Sequence, residues 1–271
     1  MKHGIAAEKF GAHGEAMSRA VETCVHCGFC LPDCPTYREL GQEMDSPRGR
    51  IVLMKEVLEG NLALSRALPH VDRCLGCLAC ETTCPSGVKY GELINPFRDY
   101  AEPRRRRGFF AGLKRRFLGA TLTRPDRFRR LARIAALARP LRRILPESLS
   151  APLDLLPGKL PDREKLSSLY PVKGCKKTGR IALLSGCAQQ VLAPGINLAT
   201  IDILVRHGIE VNIPETQGCC GALAWHIGDG SRARDQARQN LKAFPGEIDA
   251  VITNAAGCGS GLKEYPLILA G

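Results

Sequence analysis

The stretch CVHCGFCLPDCP, from Cys24 to Pro35, recurs as CLGCLACETTCP, from Cys74 to Pro85, at a constant offset of fifty residues. An offset kept over four cysteines and a proline marks a duplicated unit. In each copy, three cysteines spaced two residues apart let a short loop surround a compact group on three corners. The fourth corner is then left to a residue from elsewhere in the chain.

This is the ligand spacing of bacterial-type ferredoxin clusters, in which the fourth cysteine of each run binds the other cluster. It implies two [4Fe-4S] clusters, one held by Cys24, Cys27, Cys30 and Cys84, the other by Cys74, Cys77, Cys80 and Cys34. Pro35 and Pro85 turn the chain away after each crossing ligand. Zinc is the competing reading, but zinc sites usually present cysteines as separated pairs rather than three in seven residues followed by Cys-Pro. Two neighbouring clusters imply a conduit for single electrons. His26, inside the first run, is a weak candidate for hydrogen bonding to a sulfur; a solvated loop histidine is the plainer account.

The chain has 271 residues and thirteen cysteines, an odd number that rules out complete intramolecular disulfide pairing. Its start, MKHGIAAEKFGAHGE, has no apolar stretch of the kind a secretory signal needs. Reduced thiols in a cytoplasmic protein are the expectation. No run approaches the eighteen or so apolar residues of a membrane span, so any membrane contact is expected to be peripheral. The formal net charge of +12 is local: Pro103 to Leu145 holds fifteen Lys or Arg and one acid, Asp126, against 24 basic and 26 acidic residues elsewhere.

Between the cysteine runs, Ser46 suits a helix cap, Pro47 the first helical position and Gly60 a left-handed stop, which predicts a helix from Pro47 to Glu59. Ile51, Met54, Val57 and Leu58 fall on its inward face. The basic stretch carries apolar residues at helical spacing, including Phe110, Leu113, Phe117, Phe128, Leu131, Ala135, Ala138 and Leu141, and Pro125 and Pro140 divide it into short amphipathic helices. Prolines at 146, 152, 157, 161 and 171 predict a linker over 146–179. Beyond Arg180, IALLSG, EVNI and DAVITN alternate with helix-length segments near 197–207 and 232–244, the pattern of a parallel α/β sheet. The chain as a whole is expected to be α+β and helix-rich, in three parts: a helical two-cluster domain (1–100), a basic helical spacer with a Pro-rich linker (101–179), and a cysteine-rich α/β domain (180–271).

A second constellation follows in that last part: Cys187 in LLSGCAQ, Cys219 and Cys220 in QGCCGA, and Cys258 in NAAGCGSG. Each follows a strand or opens a glycine-rich loop, so the four thiols are expected to converge at one end of the sheet as a third redox or metal site. Trp225 and His226 follow the pair closely. Trp225 is expected to pack, while His226 is a weak candidate for a supporting role beside the thiols. Cys175 lies outside both patterns and is taken as a bystander.

The arrangement Cys, Cys-Cys-Gly, Cys resembles the CCG-type cysteine-rich domain found in heterodisulfide reductases and in several flavin-linked dehydrogenases. That pattern usually ends in Cys-x-x-Cys, whereas position 261 here is glycine, leaving an iron-sulfur group, zinc or no metal open at this site. The order of features, with CVHCGFC, CPTY, SPRGRI, VLEGN, CETTCPSGV, GCAQ, GCCGA and GCGSGLKEY, resembles the iron-sulfur subunit of bacterial glycolate oxidase. That family continues into a second cysteine-rich repeat, so this chain is expected to be a fragment or a short form.

The resemblance implies a relay subunit. FAD-binding partner subunits would oxidise glycolate to glyoxylate, and electrons would pass through this chain to a quinone or other acceptor. The competing expectations are an iron-sulfur subunit of anaerobic glycerol-3-phosphate or D-lactate dehydrogenase, and a thiol-disulfide reductase working through Cys219 and Cys220. Residues 103–145 are expected to dock on an anionic membrane surface or an acidic partner. Nucleic acid is disfavoured because no recognition motif accompanies the charge.

Overall fold

The computed structural model describes residues 3–144 and 146–271, so Leu145, at the end of the basic segment, lies outside the described residues. The chain forms two compact units, one of residues 1–107, 224–231 and 266–271, the other of 108–223 and 232–265. This division differs from the three parts expected from composition: the basic spacer belongs with the sheet, and a short piece of the C-terminal third belongs with the first unit.

The first unit is a packing of short helices: Gly14–Glu22, Pro35–Leu40, Pro47–Leu58, Leu64–Arg73, Ala79–Thr82 and Gly91–Ala101. The expected central helix is present. Ser46 Oγ accepts a hydrogen bond from Gly49 N at 2.9 Å, Pro47 occupies the first turn, and Gly60 takes φ 82° just past the end. Ile51, Met54 and Leu58 face a core shared with Met17, Val21, Val71, Leu93, Ile94 and Phe97. Full burial of each such side chain contributes about 1.5–3 kcal/mol. Cys24, Cys30, Cys74 and Cys84 pack at the margin of this core, and Cys80 within it.

The second unit is built on a four-stranded sheet of Leu169–Tyr170 (β1), Gly179–Leu184 (β2), Ile209–Asn212 (β3) and Ala250–Thr253 (β4), in the order β1-β3-β2-β4. β2 pairs in parallel with both β3 and β4, as the strand-helix alternation implied. β1 corrects the expectation of a purely parallel sheet, for it comes from the supposed linker and pairs antiparallel with β3. The linker also contains a helix, Glu147–Asp154. Ile181, Leu183, Ile201, Val205 and Val211 form the core beside the sheet. The basic segment forms two helices, Phe109–Leu122 and Pro125–Leu137. The second is anchored by the buried Arg129, whose guanidinium donates to the carbonyls of Pro161 (2.7 Å) and Gln190 (3.1 Å).

Candidate metal centres

The duplication seen in the sequence is a duplication of backbone. Cys24 N bonds Val21 O and Cys74 N bonds Val71 O, so each run leaves the end of a helix in the same way. Leu31 N to Gly28 O and Cys34 N to Leu31 O are matched, fifty residues on, by Glu81 N to Leu78 O and Cys84 N to Glu81 O. Both loops also require left-handed backbone at the second and fourth positions after their first cysteine. These are His26 (φ 56°) and Gly28 (φ 86°) in one, Gly76 (φ 66°) and Leu78 (φ 57°) in the other. Each loop places glycine at only one of its two left-handed positions. A β-carbon at the other costs about 1–2 kcal/mol, and such strain persists where surrounding structure imposes it.

The loops enclose two cavities. Cys24, Cys27, Cys30, Cys80 and Cys84 line one, together with His26, Arg48 and Ile51. Cys34, Cys74, Cys77 and Cys80 line the other, with Asp33, Thr36 and Arg50. Pro47, Cys80 and Tyr90 line both. Among the described residues, no three His, Cys, Asp or Glu side chains converge as they would on a single ion. The thiols of the two runs are spread around the walls of the two cavities.

Several donors point at these sulfurs. Val88 N bonds Cys84 Sγ at 3.4 Å, Tyr90 Oη bonds Cys74 Sγ at 3.8 Å, and Arg50 Nη1 bonds Cys34 Sγ at 3.8 Å. His26 Nδ1 lies 3.9 Å from Cys24 Sγ, within reach of the weak role considered for it. Burial pushes the thiols of Cys24 and Cys30 up, and that of Cys80 far up. Burial also holds the hydroxyl of Tyr90 well above its ordinary range. Bare thiolates are therefore disfavoured here, and binding of a metal is an interaction that would let these sulfurs lose their protons. Four or more cysteine sulfurs around each cavity are the donor set that iron-sulfur groups use.

The C-terminal thiols do come together. Cys187 Sγ lies 3.6 Å from Cys219 Sγ, and Cys219, Cys220, Cys187 and Cys258 pack in one cluster with Leu184 and Ala222. The chain of thiol contacts continues from Cys219 to Cys220 and from Cys220 to Cys258. The contact with Cys187 pulls the Cys219 thiol down, but the contact with Cys220 and burial outweigh it, leaving it at about 11. Cys258 moves the other way, drawn below its usual value by the contact with Cys220. A larger cavity opens on Cys187 and Cys219, walled by Arg124 and Arg127 of the spacer and by Gln217 and Gln239.

Other residues singled out in the sequence fall elsewhere. For His226, the contacts found are with residues of the first unit. Its ring bonds Asn95 Oδ1 at 3.1 Å, and its carbonyl accepts from Arg98 Nη1 at 2.9 Å. It lies against Gly76, in the second cysteine loop of the first unit. Trp225 packs as expected, fully buried, its ring 5.6 Å from that of His13. Cys175 donates to the carbonyl of Arg206 at 3.3 Å, at the end of the helix Gly195–Arg206. Four apolar residues of the first basic helix are not packed: Phe109 and Phe110 are 78% and 82% exposed, and Leu113 and Phe117 are also exposed. No described helix is long and apolar enough to cross a membrane.

Comparison with known proteins defines the class. Residues 20–88 match the 4Fe-4S dicluster domain, and residues 181–263 match the cysteine-rich domain. The chain is thus an iron-sulfur protein in which a dicluster ferredoxin-type domain precedes a CCG-type cysteine-rich domain.

Its close homologues are glycolate oxidase iron-sulfur subunits. It is 40% identical over 253 residues to the glycolate oxidase iron-sulfur subunit of Escherichia coli (strain K12), covering 92% of this chain and 59% of that protein. It is 38% identical over 263 residues to the probable glycolate oxidase iron-sulfur subunit of Bacillus subtilis (strain 168), covering 91% and 59%. A shorter likeness, 34% over 92 residues, links it to lactate utilization protein A of Geobacillus thermodenitrificans (strain NG80-2), covering 34% of this chain and 38% of that one. The chain therefore spans about three-fifths of the length of its fuller relatives. No solved structure matches it.

Proposed function

We propose that this chain is the electron-relay part of a flavin-linked glycolate oxidase. It holds two [4Fe-4S] clusters, one on Cys24, Cys27, Cys30 and Cys84, the other on Cys74, Cys77, Cys80 and Cys34. The observation that carries the reading is the pair of cavities, each lined by three cysteines of one run and the fourth of the other. Bound there, the clusters supply one-electron acceptors and donors for electrons that leave a reduced flavin.

The protein's own residues do the rest. Cys80, Pro47 and Tyr90 form the wall common to both cavities and keep the two centres within reach of each other. Ile51 and Val88 give the first cavity an apolar part of its wall. Val88 N, Tyr90 Oη and Arg50 direct hydrogen bonds at ligand sulfurs, which hold those sulfurs in place and favour the reduced state. FAD and glycolate belong to separate partner subunits on this reading, and a quinone or another carrier takes the electrons.

Anaerobic iron and sulfide analysis tests the cluster part. The expected result is about eight of each per chain with the paramagnetic resonance of two interacting reduced centres. A colourless protein with stoichiometric zinc and no acid-labile sulfide contradicts it. The substrate is tested by isolating the complex formed by the tagged chain and assaying it with glycolate, D-lactate and glycerol 3-phosphate. Activity on only one of the latter two overturns glycolate as the donor.

The exposed Phe109, Phe110, Leu113 and Phe117, set beside Lys114 and several arginines, support docking of the first basic helix on an anionic lipid surface, close to a quinone. Flotation with vesicles containing anionic lipid, and none with neutral vesicles, is the expected outcome. Failure to float with either removes the membrane contact.

A further inference from the structure

The two cysteine loops match in backbone and differ in charge. Arg50, on the helix Pro47–Leu58, is 1% exposed. Its Nε donates to His70 O at 2.7 Å, its Nη2 to Thr36 Oγ1 at 3.0 Å, and its Nη1 to Cys34 Sγ at 3.8 Å. The carboxylate nearest to it, Asp45, is fully buried and lies 3.5 Å from Arg50 Nη2. Asp45 also takes Arg73 Nη1 at 3.0 Å and His70 Nδ1 at 3.1 Å. Asp45 thus pairs with the buried Arg50 and with Arg73, whose side chain is half exposed and screened by water; of the two guanidinium groups, that of Arg50 is the one that reaches Cys34.

The corresponding cysteine of the other run, Cys84, receives the backbone amide of Val88 instead. The arginine at its cavity, Arg48, is differently placed. Its Nη1 bonds His26 O, while Nε and Nη2 bind both carboxylate oxygens of Glu43, a one-to-one pair that is partly open to solvent. Asp33 lines the cavity on the Arg50 side, but it is exposed, where water screens it. Arg50 is buried, and its charge acts through a medium of lower dielectric.

Resting on the cluster assignment above, we infer that Arg50 sets the reduction potential of the centre held by Cys74, Cys77, Cys80 and Cys34 above that of its twin. Adding an electron adds negative charge, and a hydrogen-bonded cation at a ligand sulfur favours that state. Arg50 thereby gives the relay a direction, from the Cys24 side to the Cys34 side. No bond is made or broken and no proton is required; one electron leaves the first centre and enters the second. Arg50 contacts a ligand sulfur rather than a reactant and is a positioning residue for the electron.

The test is a redox titration of the full chain, purified anaerobically and followed by electron paramagnetic resonance. Cys27→Ser and Cys77→Ser identify which signal belongs to which cavity. In Arg50→Gln the second centre should become harder to reduce by about tenfold in its equilibrium constant, ~59 mV for one electron, with the first centre nearly unmoved. Arg50→Lys should recover part of that loss. A measurement that needs no variant accompanies these: in protein labelled with nitrogen-15 arginine, the reduced second centre should show a hyperfine coupling to arginine nitrogen.

Iron and sulfide far below two clusters in the unaltered chain would sink the assignment itself. Full loading with unshifted potentials in Arg50→Gln, an equal shift of both centres, or no arginine coupling at the second centre would overturn the role of Arg50 alone.

Discussion

The loop after Cys24 and the loop after Cys74 follow the same path with different residues. Their hydrogen bonds repeat at an offset of fifty, and each is left-handed at the same two positions, yet glycine stands at the second of these in one loop and at the first in the other. The shared shape is therefore a requirement of the site rather than a by-product of any one residue. What each copy lays around that shape differs. Arg48 lines the first cavity in a partly exposed pair with Glu43, and Arg50 lines the second as a buried guanidinium 3.5 Å from Asp45 and 3.8 Å from Cys34 Sγ.

Removing a shared element should break the likeness most. Cys80 is 9% exposed and lines both cavities, whereas Cys27 is exposed and lines one. Cys80→Ser is expected to lose the second cluster and loosen the first, leaving well under half of the iron. Cys27→Ser should alter only the first. Iron analysis and spectra of the two variants check this, and equal losses would contradict the shared wall.

Glycine substitutions sharpen the comparison of backbones. A β-carbon at Gly28 would stand 2.7 Å from Arg48 Nη1, which is tied to His26 O, while at Gly76 nothing lies closer than 3.7 Å. Gly76→Ala should cost about 1–2 kcal/mol for left-handed backbone alone, and Gly28→Ala about 1 kcal/mol more, the worth of a lost hydrogen bond. Denaturant unfolding of the loaded protein measures both; equal costs would mean that Arg48 gives way freely.

Ser46 caps the helix that brings Arg48 to one cavity and Arg50 to the other. Ser46→Ala should cost about 1 kcal/mol and disturb both centres alike, read from melting and from the two resonance signals. The smallest effect is expected at His26. His26→Gly relieves a left-handed β-carbon but adds unfolded-state entropy, so stability should change by no more than about 1 kcal/mol. A larger loss would show that the 3.9 Å contact with Cys24 matters.

Much of this is legible in the sequence, because local chemistry carries it. Ser46, Pro47 and Gly60 mark the central helix by their backbone preferences, and the fifty-residue offset alone pairs the two loops. The strands β2, β3 and β4 show as apolar runs between helix-length segments. β1 leaves no such trace: two residues in a proline-rich stretch have no periodicity, and only their partner on β3 makes them a strand. Arg50 is hidden for a similar reason. An arginine in a helix ordinarily reads as surface, and only the tertiary placement of Asp45, Thr36 and His70 makes burial tolerable. The contacts of His226 with Asn95 and Arg98, some 130 residues away in sequence, are likewise tertiary and leave no local signal.

The C-terminal thiols offer a second contrast. Their sulfurs touch one another, Cys187 Sγ lying 3.6 Å from Cys219 Sγ, and a cavity opens on only those two of the four, whereas the thiols of the first unit are spread around the walls of two cavities.

The central claim is that each run supplies three thiols to its own cavity and the fourth to the other. The direct measurement is Mössbauer and paramagnetic resonance spectroscopy of the anaerobic Cys34→Ser chain, set beside Cys27→Ser and Cys77→Ser. Crossed ligation predicts that Cys34→Ser perturbs the same centre as Cys77→Ser and leaves the other intact. A Cys34→Ser spectrum that reproduces the damage of Cys27→Ser would contradict it.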